Sequence, residues 1–282
     1  MKLTNTTAEV FVPDHVPTDD ALKRTTHLAI GAHQDDLEIM AIDGILQCFQ
    51  REGRWFTGVV VADGSGSPRA GLYAATTNDA MTAIRVREQK KAAIIGDYAA
   101  QVFLAYPSAA IKDPHNPGPV ADLVALLEAT QPAVVYTHNL ADKHPTHVAV
   151  AVRTLQALRR LPASMRPEAV YGCEVWRGLD WMPDEEKVVF DCSAQPNLQE
   201  ALLGVFDSQI SGGKRYDLAT MGRRLANATY YESHGVDVTT HMALAMDLTP
   251  LVRDPELDIQ AYVQGYLERF AGSVRGLLAQ LL

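Results

Sequence analysis

Short apolar runs alternate with longer amphipathic segments from residue 26 onward, and this alternation constrains the fold more than any other feature. Residues 27–32, 56–62, 102–105 and 133–137 are short and apolar enough to form buried strands. The segments between them repeat apolar residues every three or four positions, as one face of a helix does. Strands joined by such helices build a parallel sheet. We therefore predict an α/β fold, a Rossmann-like, mainly parallel sheet with helices on both faces and a C-terminal α/β elaboration.

The same pattern sets the expected order of the elements. Predicted helices cover residues 39–49, 78–95, 122–129, 145–158, 198–210, 216–230 and 257–282, and further strands are expected at 169–175, 187–191 and 242–248. We expect an N-terminal extension over 1–24, a core over 25–180 and an elaboration over 181–282 that packs on the same domain. The sequence contains no internal repeat of the kind that builds a repeat protein.

Charge and cysteine content exclude several classes of protein. The chain has 25 Lys and Arg against 34 Asp and Glu, and its formal net charge of −9 disfavours a nucleic-acid partner. Its three cysteines, Cys48, Cys173 and Cys192, form no CxxC pair, which fits a reducing compartment. The first 20 residues are polar, and no segment has the roughly 20 apolar residues of a membrane span. We expect a cytoplasmic protein without a membrane partner.

Two polar clusters follow predicted strands. Residues 33–38 (HQDDLE) come after the first strand, and residues 138–147 (HNLADKHPTH) come after the fourth. The carboxyl ends of parallel strands meet at one edge of the sheet, where ligands bind. Each cluster taken alone also fits a solvated loop, with an aspartate capping a helix in the first case. Their expected meeting at one edge favours a functional site.

Imidazole nitrogens and carboxylate oxygens are suitable ligands for zinc-like divalent ions. We predict that His33, Asp36 and His147 bind such an ion, with Zn²⁺ as the first candidate and Fe²⁺ or another divalent ion also compatible. Asp35 is the candidate general base for a water molecule on that ion. His144 lies three positions before His147 and is the second candidate reagent.

Several segments resemble one known family. Residues 31–38 (GAHQDDLE) resemble the AHPDDxE signature of the LmbE-like family, also called the PIG-L or N-acetylglucosaminyl deacetylase family, and residues 144–147 (HPTH) resemble its HPDH signature. Residues 85–88 (RVRE), followed by Gly96, are similar to its R-x-x-E helix, and Asp63-Gly64 is similar to its Asp-Gly loop. The resemblance covers roughly residues 25–175, in matching order and spacing.

The resemblance implies a Rossmann-like fold and hydrolysis of an acetamido group on a small amino-sugar substrate. It implies zinc ligands at His33, Asp36 and His147 and a general base at Asp35. It also implies that His144 is either the general acid or the group that stabilises the tetrahedral intermediate.

The sequence departs from the family pattern at three places. Gln34 replaces the motif proline, and Asp43-Gly44 stands where a Gly-Gly pair is common. Thr146 replaces an aspartate that orients the catalytic histidine, and such a carboxylate fixes the imidazole tautomer. We predict Asp142 as its nearest substitute, acting on His144.

Four further residues are candidates for binding the substrate. Arg85 matches the family helix, although a solvated charged face explains it equally well. Asp63 lies in a glycine-containing loop that lacks the G-x-G-x-x-G pattern of a nucleotide cradle. Trp176 follows a predicted strand and can stack on a sugar. His241 begins another strand, where a structural role is the alternative.

These observations favour a metal-dependent hydrolase that removes an acetyl group from an N-acetylglucosamine-type conjugate. The alternatives are a catalytically weak or inactive sugar-binding or regulatory protein of the same fold, and a nucleotide-dependent Rossmann enzyme. The predicted helix over 257–282 carries an apolar stripe wide enough to require burial against the body or against a neighbouring subunit, and we also expect a homo-oligomer.

Overall fold

The computed structural model describes all 282 residues, Met1–Leu282, and one eight-stranded sheet organises them. The strands are β1 (Glu9–Phe11), β2 (His27–Gly31), β3 (Phe56–Ala62), β4 (Ala100–Tyr106), β5 (Val134–His138), β6 (Ala169–Cys173), β7 (Lys187–Asp191) and β8 (Met242–Asp247). Their order across the sheet is β1-β4-β3-β2-β5-β6-β8-β7.

Twelve α-helices surround the sheet. They are α1 (Thr18–Lys23), α2 (Asp36–Met40), α3 (Ile42–Cys48), α4 (Asn78–Ile95), α5 (Ser108–Lys112), α6 (Gly118–Thr130), α7 (Pro145–Arg160), α8 (Pro196–Gly204), α9 (Asp207–Ile210), α10 (Tyr216–Tyr230), α11 (Thr249–Arg253) and α12 (Ile259–Leu281). None of these helices combines the length and the apolar composition that a membrane crossing requires.

The α/β class is confirmed, but the prediction of a mainly parallel sheet was wrong because the sheet is mixed. The central strands β4, β3, β2, β5 and β6 are parallel neighbours. On one edge β1 is antiparallel to β4, and on the other β8 is antiparallel to both β6 and β7. Apolar runs reveal that a strand is buried but not its direction, so the sequence could not distinguish these edge pairings.

Alternate residues of the central strands pack into two cores on opposite faces of the sheet. Leu28 and Ile30 belong to one buried cluster, whereas Ala29 between them belongs to the other. This period of two is the geometry of a strand whose two faces are both covered. The predicted arrangement, apolar strands with helices on both faces of the sheet, requires this alternation.

Helix boundaries agree best where caps are clear in the sequence. Helix α4 spans the predicted residues 78–95, and the Thr77 hydroxyl caps its start by accepting the N–H of Ala80. The predicted helix over 39–49 begins earlier, at Asp36, and is broken at Ala41 into α2 and α3. The predicted helix over 198–210 is likewise divided, into α8 and α9.

The chain reverses its direction of travel across the sheet at β2. It runs from β2 through β3 to β4 on one side and then returns to place β5 and β6 on the other. Strands β2 and β5 are neighbours, with Ile30 paired with Thr137. Such a reversal leaves a crevice beyond the carboxyl ends of the two strands, and that is where both polar clusters lie.

Candidate metal centre and active-site cavity

Three side chains converge at this crevice. The His33 Nδ1 to His147 Nε2 distance is 3.2 Å, and Asp36 Oδ2 lies 3.4 Å from His33 Nδ1 and 3.5 Å from His147 Nε2. All three candidate ligand atoms lie within 4.8 Å of one another. His33 comes from the loop after β2, Asp36 is the first residue of α2, and His147 lies in the first turn of α7.

The spacing of these atoms fits a small divalent cation. Ligand bonds of 2.0–2.1 Å in a tetrahedron place neighbouring ligand atoms about 3.3 Å apart, which is close to the three observed separations. Asp36 and His147 are buried, while the His33 side chain is 18% exposed and borders the cavity. The set therefore offers three ligands and an open side, as catalytic metal sites do.

The protonation states suit metal binding. Burial lowers the pKa of His33. Burial alone would raise the pKa of Asp36, but the adjacent imidazoles of His147 and His138 hold it well below the usual range. Neutral imidazole and ionised carboxylate are the forms that bind a cation.

His138 packs against the candidate ligands, and no role was predicted for it from the sequence. Its Nε2 accepts the backbone N–H of Ala32 at 2.8 Å, and its ring stacks on His147 with centroids 3.9 Å apart. Because that nitrogen is already engaged, His138 fixes the His147 ring rather than adding a fourth ligand. Its position as the last residue of β5 was the signal available in the sequence.

Asp35 occupies a strained position beside the candidate ligands. Its φ of 97° is in the left-handed region, which costs a non-glycine residue about 1–3 kcal/mol. The Gln89 side chain accepts its backbone N–H at 3.1 Å, and Arg85 Nη2 lies 3.6 Å from its carboxylate while donating to Gln34 O. Burial raises the pKa of Asp35 well above the usual value, although Arg85 opposes this. The carboxylate borders the cavity.

Asp142 does not contact the His144 imidazole. Its two oxygens accept the backbone N–H groups of His144, at 2.9 Å, and Trp176, at 3.0 Å. Oδ2 also lies 3.7 Å from His147 Nδ1, which is too long for a hydrogen bond. A carboxylate that orients a metal-binding histidine lies on this same side of the imidazole ring. Asp142 therefore binds the backbone of His144 and lies near the His147 ring, whereas the predicted contact was with the His144 ring.

The His144 ring lies next to the cluster. Its centroid is 4.5 Å from that of His147 and 5.1 Å from that of His33. Burial lowers its pKa to about 4, and the neighbouring His147 and His33 act in the same direction. Trp176 stacks beyond it with a centroid distance of 6.3 Å.

A cavity of about 470 Å³ opens beside the three candidate ligands. This size is within the usual range for small-molecule sites. The predicted residues on its wall are His33, Asp35, Asp36, Arg85, His144, His147 and Trp176. Thr146, the departure from the family motif, also lines it.

Two predicted substrate residues lie elsewhere. The Asp63 carboxylate accepts both the backbone N–H and the hydroxyl of Ser65 at 2.9 Å and is not part of the cavity wall, to which Gly64 contributes instead. His241 immediately precedes β8, and its Nδ1 pairs with the Thr240 hydroxyl. It does not line the cavity either.

Residues far along the chain complete the cavity, and they were not predicted from the sequence. Gln209 of α9, Lys214 and Tyr216 line one side, and Ser108 and Lys112 of α5 line another. No motif marks them in the sequence, because they reach the site only through the packing of distant helices.

The comparisons with known proteins come from a family model and from solved structures. The family model described as PIG-L, GlcNAc-PI de-N-acetylase, matches residues 28–158. No curated protein matches the chain.

The solved structures share the fold at low sequence identity. The 4-carboxy-2-hydroxymuconate hydratase GalB from Pseudomonas putida has a TM-score of 0.61 and 16% identity, over 79% of this chain and 95% of that chain. The conserved protein TT1542 from Thermus thermophilus has a TM-score of 0.61 and 19% identity, over 82% and 98%. The N,N'-diacetylchitobiose deacetylase from Pyrococcus horikoshii has a TM-score of 0.59 and 17% identity, over 78% and 83%.

The sequence motifs and the family model agree on the same stretch of the chain, and the resemblance inferred from the motifs is confirmed there. Both include the candidate ligands and Asp35, and the solved structures add that the fold recurs in other proteins, over 82% of this chain in TT1542. Residues 28–158 of this chain are similar to the PIG-L family, whose model is described as GlcNAc-PI de-N-acetylase.

Proposed function

We propose that this protein is a metal-dependent hydrolase that releases acetate from an N-acetylglucosamine-type amino-sugar conjugate. The observation that carries the proposal is the meeting of a tetrahedrally spaced ligand set, His33, Asp36 and His147, with the buried carboxylate of Asp35 at one cavity. The match of residues 28–158 to the family model supports the same reaction, since that model is described as GlcNAc-PI de-N-acetylase.

Each candidate site residue has a separate role in the proposed reaction. A bound divalent ion would polarise the acetyl carbonyl as a Lewis acid. Zn²⁺ is the first candidate for this ion and Fe²⁺ is the second. Asp35 would take a proton from the attacking water, and its raised pKa suits it to hold that proton and pass it to the leaving nitrogen. His144, whose lowered pKa keeps its imidazole neutral, would donate a hydrogen bond to the oxyanion. The C–N bond then breaks to give acetate and the free amine.

The charge of the cavity favours a conjugate with an anionic group. Apart from Asp35 and Asp36, every charged residue on the wall is basic: Arg85, Lys112 and Lys214. Lys214 Nζ lies 5.1 Å from the centre of the Trp176 ring, which is itself next to His144. An anionic group on the conjugate would pair with this lysine.

The fold alone does not choose the reaction, because it is shared with a hydratase as well as a deacetylase. Acetate release therefore tests the proposal directly. The protein would be stripped with a chelator, reloaded with Zn²⁺ or Fe²⁺, and given paired N-acetylglucosamine conjugates with neutral, carboxylate and phosphate aglycones. We expect acetate and free amine in equal amounts, loss on chelation, recovery on reloading, and a higher kcat/KM for the anionic members.

A metal-loaded protein that releases no acetate from any conjugate would contradict the hydrolase proposal. That result would favour the catalytically weak sugar-binding or regulatory alternative. Binding of the same conjugates, measured by calorimetry, would then identify the ligand without turnover.

Gln89 holds the candidate base in place, and we expect Gln89→Leu to lower kcat by about 10–100-fold with little change in KM. Gln89 is fully buried, accepts the Asp35 N–H and donates to Glu38 Oε1 at 2.7 Å, which also accepts the Tyr98 hydroxyl at 2.7 Å. Leucine removes the acceptor that restrains the strained backbone of Asp35. Steady-state kinetics on the best conjugate, with metal content measured in parallel, would show the effect.

Tyr98→Phe is the matched control for this substitution. It removes only the hydroxyl at the far end of the same network and keeps the buried ring, so its effect on kcat should be several-fold smaller. Equal losses in the two variants, or an unchanged kcat in Gln89→Leu, would argue against a positioning role for Gln89.

A further inference from the structure

Helix α12 extends from the body of the protein with an exposed apolar stripe. Its first half is held by the Tyr262 hydroxyl, which donates to Asp247 O at 2.6 Å, and by Arg269, which pairs with both oxygens of Glu186. From Ser273 to Leu282 every residue is exposed. The α12 stripe consists of Leu267, Phe270, Val274, Leu277, Leu278 and Leu281, which are 39%, 38%, 43%, 60%, 51% and 75% exposed.

These side chains share one face of the helix. At about 100° per residue, all of them fall within about 60° of the direction of Val274. The charged residues Glu268, Arg269 and Arg275 point outside that sector. Contiguous apolar surface of this extent marks a contact site in a water-exposed protein.

We propose that the α12 stripe docks on the same stripe of a second copy, antiparallel about a two-fold axis at Val274. A two-fold interface must be complementary to itself. Reversal about Val274 exchanges Leu267 with Leu281 and Phe270 with Leu278, so each apolar residue meets another apolar residue.

The antiparallel arrangement follows from where the body is attached. Arg269 is the last α12 residue that bonds to the body, so parallel pairing would put the bodies of two chains, each chain with a net charge of −9, beside each other. Antiparallel pairing places them at opposite ends of the helix pair. It also opposes the two helix dipoles, which is the favourable orientation.

The contact area sets the expected strength. The exposed parts of the stripe amount to on the order of 1,000 Å² for two copies, which is near the lower limit for a specific interface. We therefore expect a dimer that forms in the micromolar range and dissociates on dilution.

Mass in solution and directed cross-linking test the proposal. We expect the full chain to have twice the mass of one copy at about 50 µM, and Leu277→Glu with Leu278→Glu to be monomeric with an unchanged circular dichroism spectrum. Val274→Cys should form a disulfide with its own copy under mild oxidation. A mixture of Leu267→Cys and Leu281→Cys chains should cross-link, and neither variant should do so alone.

The chain offers a clean background and a matched control. Its natural cysteines, Cys48, Cys173 and Cys192, are all buried. Gly272→Cys introduces a thiol on the opposite side of α12, where an added Cβ meets nothing within 4 Å, and it should not cross-link.

Three results would overturn the proposal. The first is a monomeric mass at about 50 µM. The second is cross-linking of Leu267→Cys with itself, which requires parallel helices. The third is a monomer that floats with phosphatidylcholine–phosphatidylglycerol vesicles and loses this on Leu277→Glu with Leu278→Glu, because the stripe would then cover a lipid surface.

Discussion

Replacing His147 with alanine is expected to abolish acetate release and to weaken divalent-ion binding by more than about 100-fold. His147 Nε2 lies within 3.5 Å of both other candidate ligand atoms, so its removal leaves only His33 and Asp36. Loss of the ion would remove the Lewis acid and leave the imidazoles of His138 and His144 next to an empty space. Metal content by mass spectrometry and acetate release on the same preparations would measure both effects.

The matched control is His234→Ala. His234 is exposed and lies in the segment between α10 and β8, away from the cavity wall. This variant should keep full metal content and activity. If His147→Ala retained a stoichiometric, tightly bound ion, the proposed ligand set would be wrong.

Asp35→Asn is expected to lower kcat by about 10²–10⁴-fold while leaving metal content unchanged. Asparagine keeps the shape of the side chain and tolerates the left-handed backbone at φ 97°, but it cannot accept a proton. Burial raises the pKa of Asp35, so the neutral amide should not reduce, and can increase, the unfolding temperature. Acetate release, metal analysis and thermal unfolding on one preparation would separate the three effects.

Two outcomes would contradict the assignment of Asp35 as the base. An Asp35→Asn variant with wild-type kcat would exclude it from proton transfer. A variant that loses its metal ion together with its activity would make Asp35 part of the ligand set instead.

Local patterns were sufficient for most of the fold. The apolar runs at 27–32 and 56–62 correspond to β2 and β3, and the helix over 78–95 is found as predicted, because caps and burial act within a few residues. Strand β1 lies in the predicted N-terminal extension and was not predicted, and the direction of β8 was not predictable. Both pairings depend on which neighbour completes the backbone hydrogen bonds at the edge of the sheet.

The candidate site was likewise predictable from the sequence only in part. His33, Asp35 and Asp36 lie within four positions of one another, and their chemistry is readable from the sequence. Neither the stacking of His138 on His147 nor the attachment of Gln89 to Asp35 has a local signature. In each of these pairs the residues come from different elements, and the distance along the chain says nothing about their contact.

The amino-acid sequence by itself determined the α/β class, the family resemblance and the candidate ligands, because these depend on residue types and on their spacing within short segments. Only the tertiary structure decided that Asp142 faces the backbone of His144 and Trp176, that Asp63 and His241 lie outside the cavity, and that Lys112 and Lys214 line it. Those positions depend on how distant helices pack on the sheet. Packing is a property of the whole buried surface rather than of any segment.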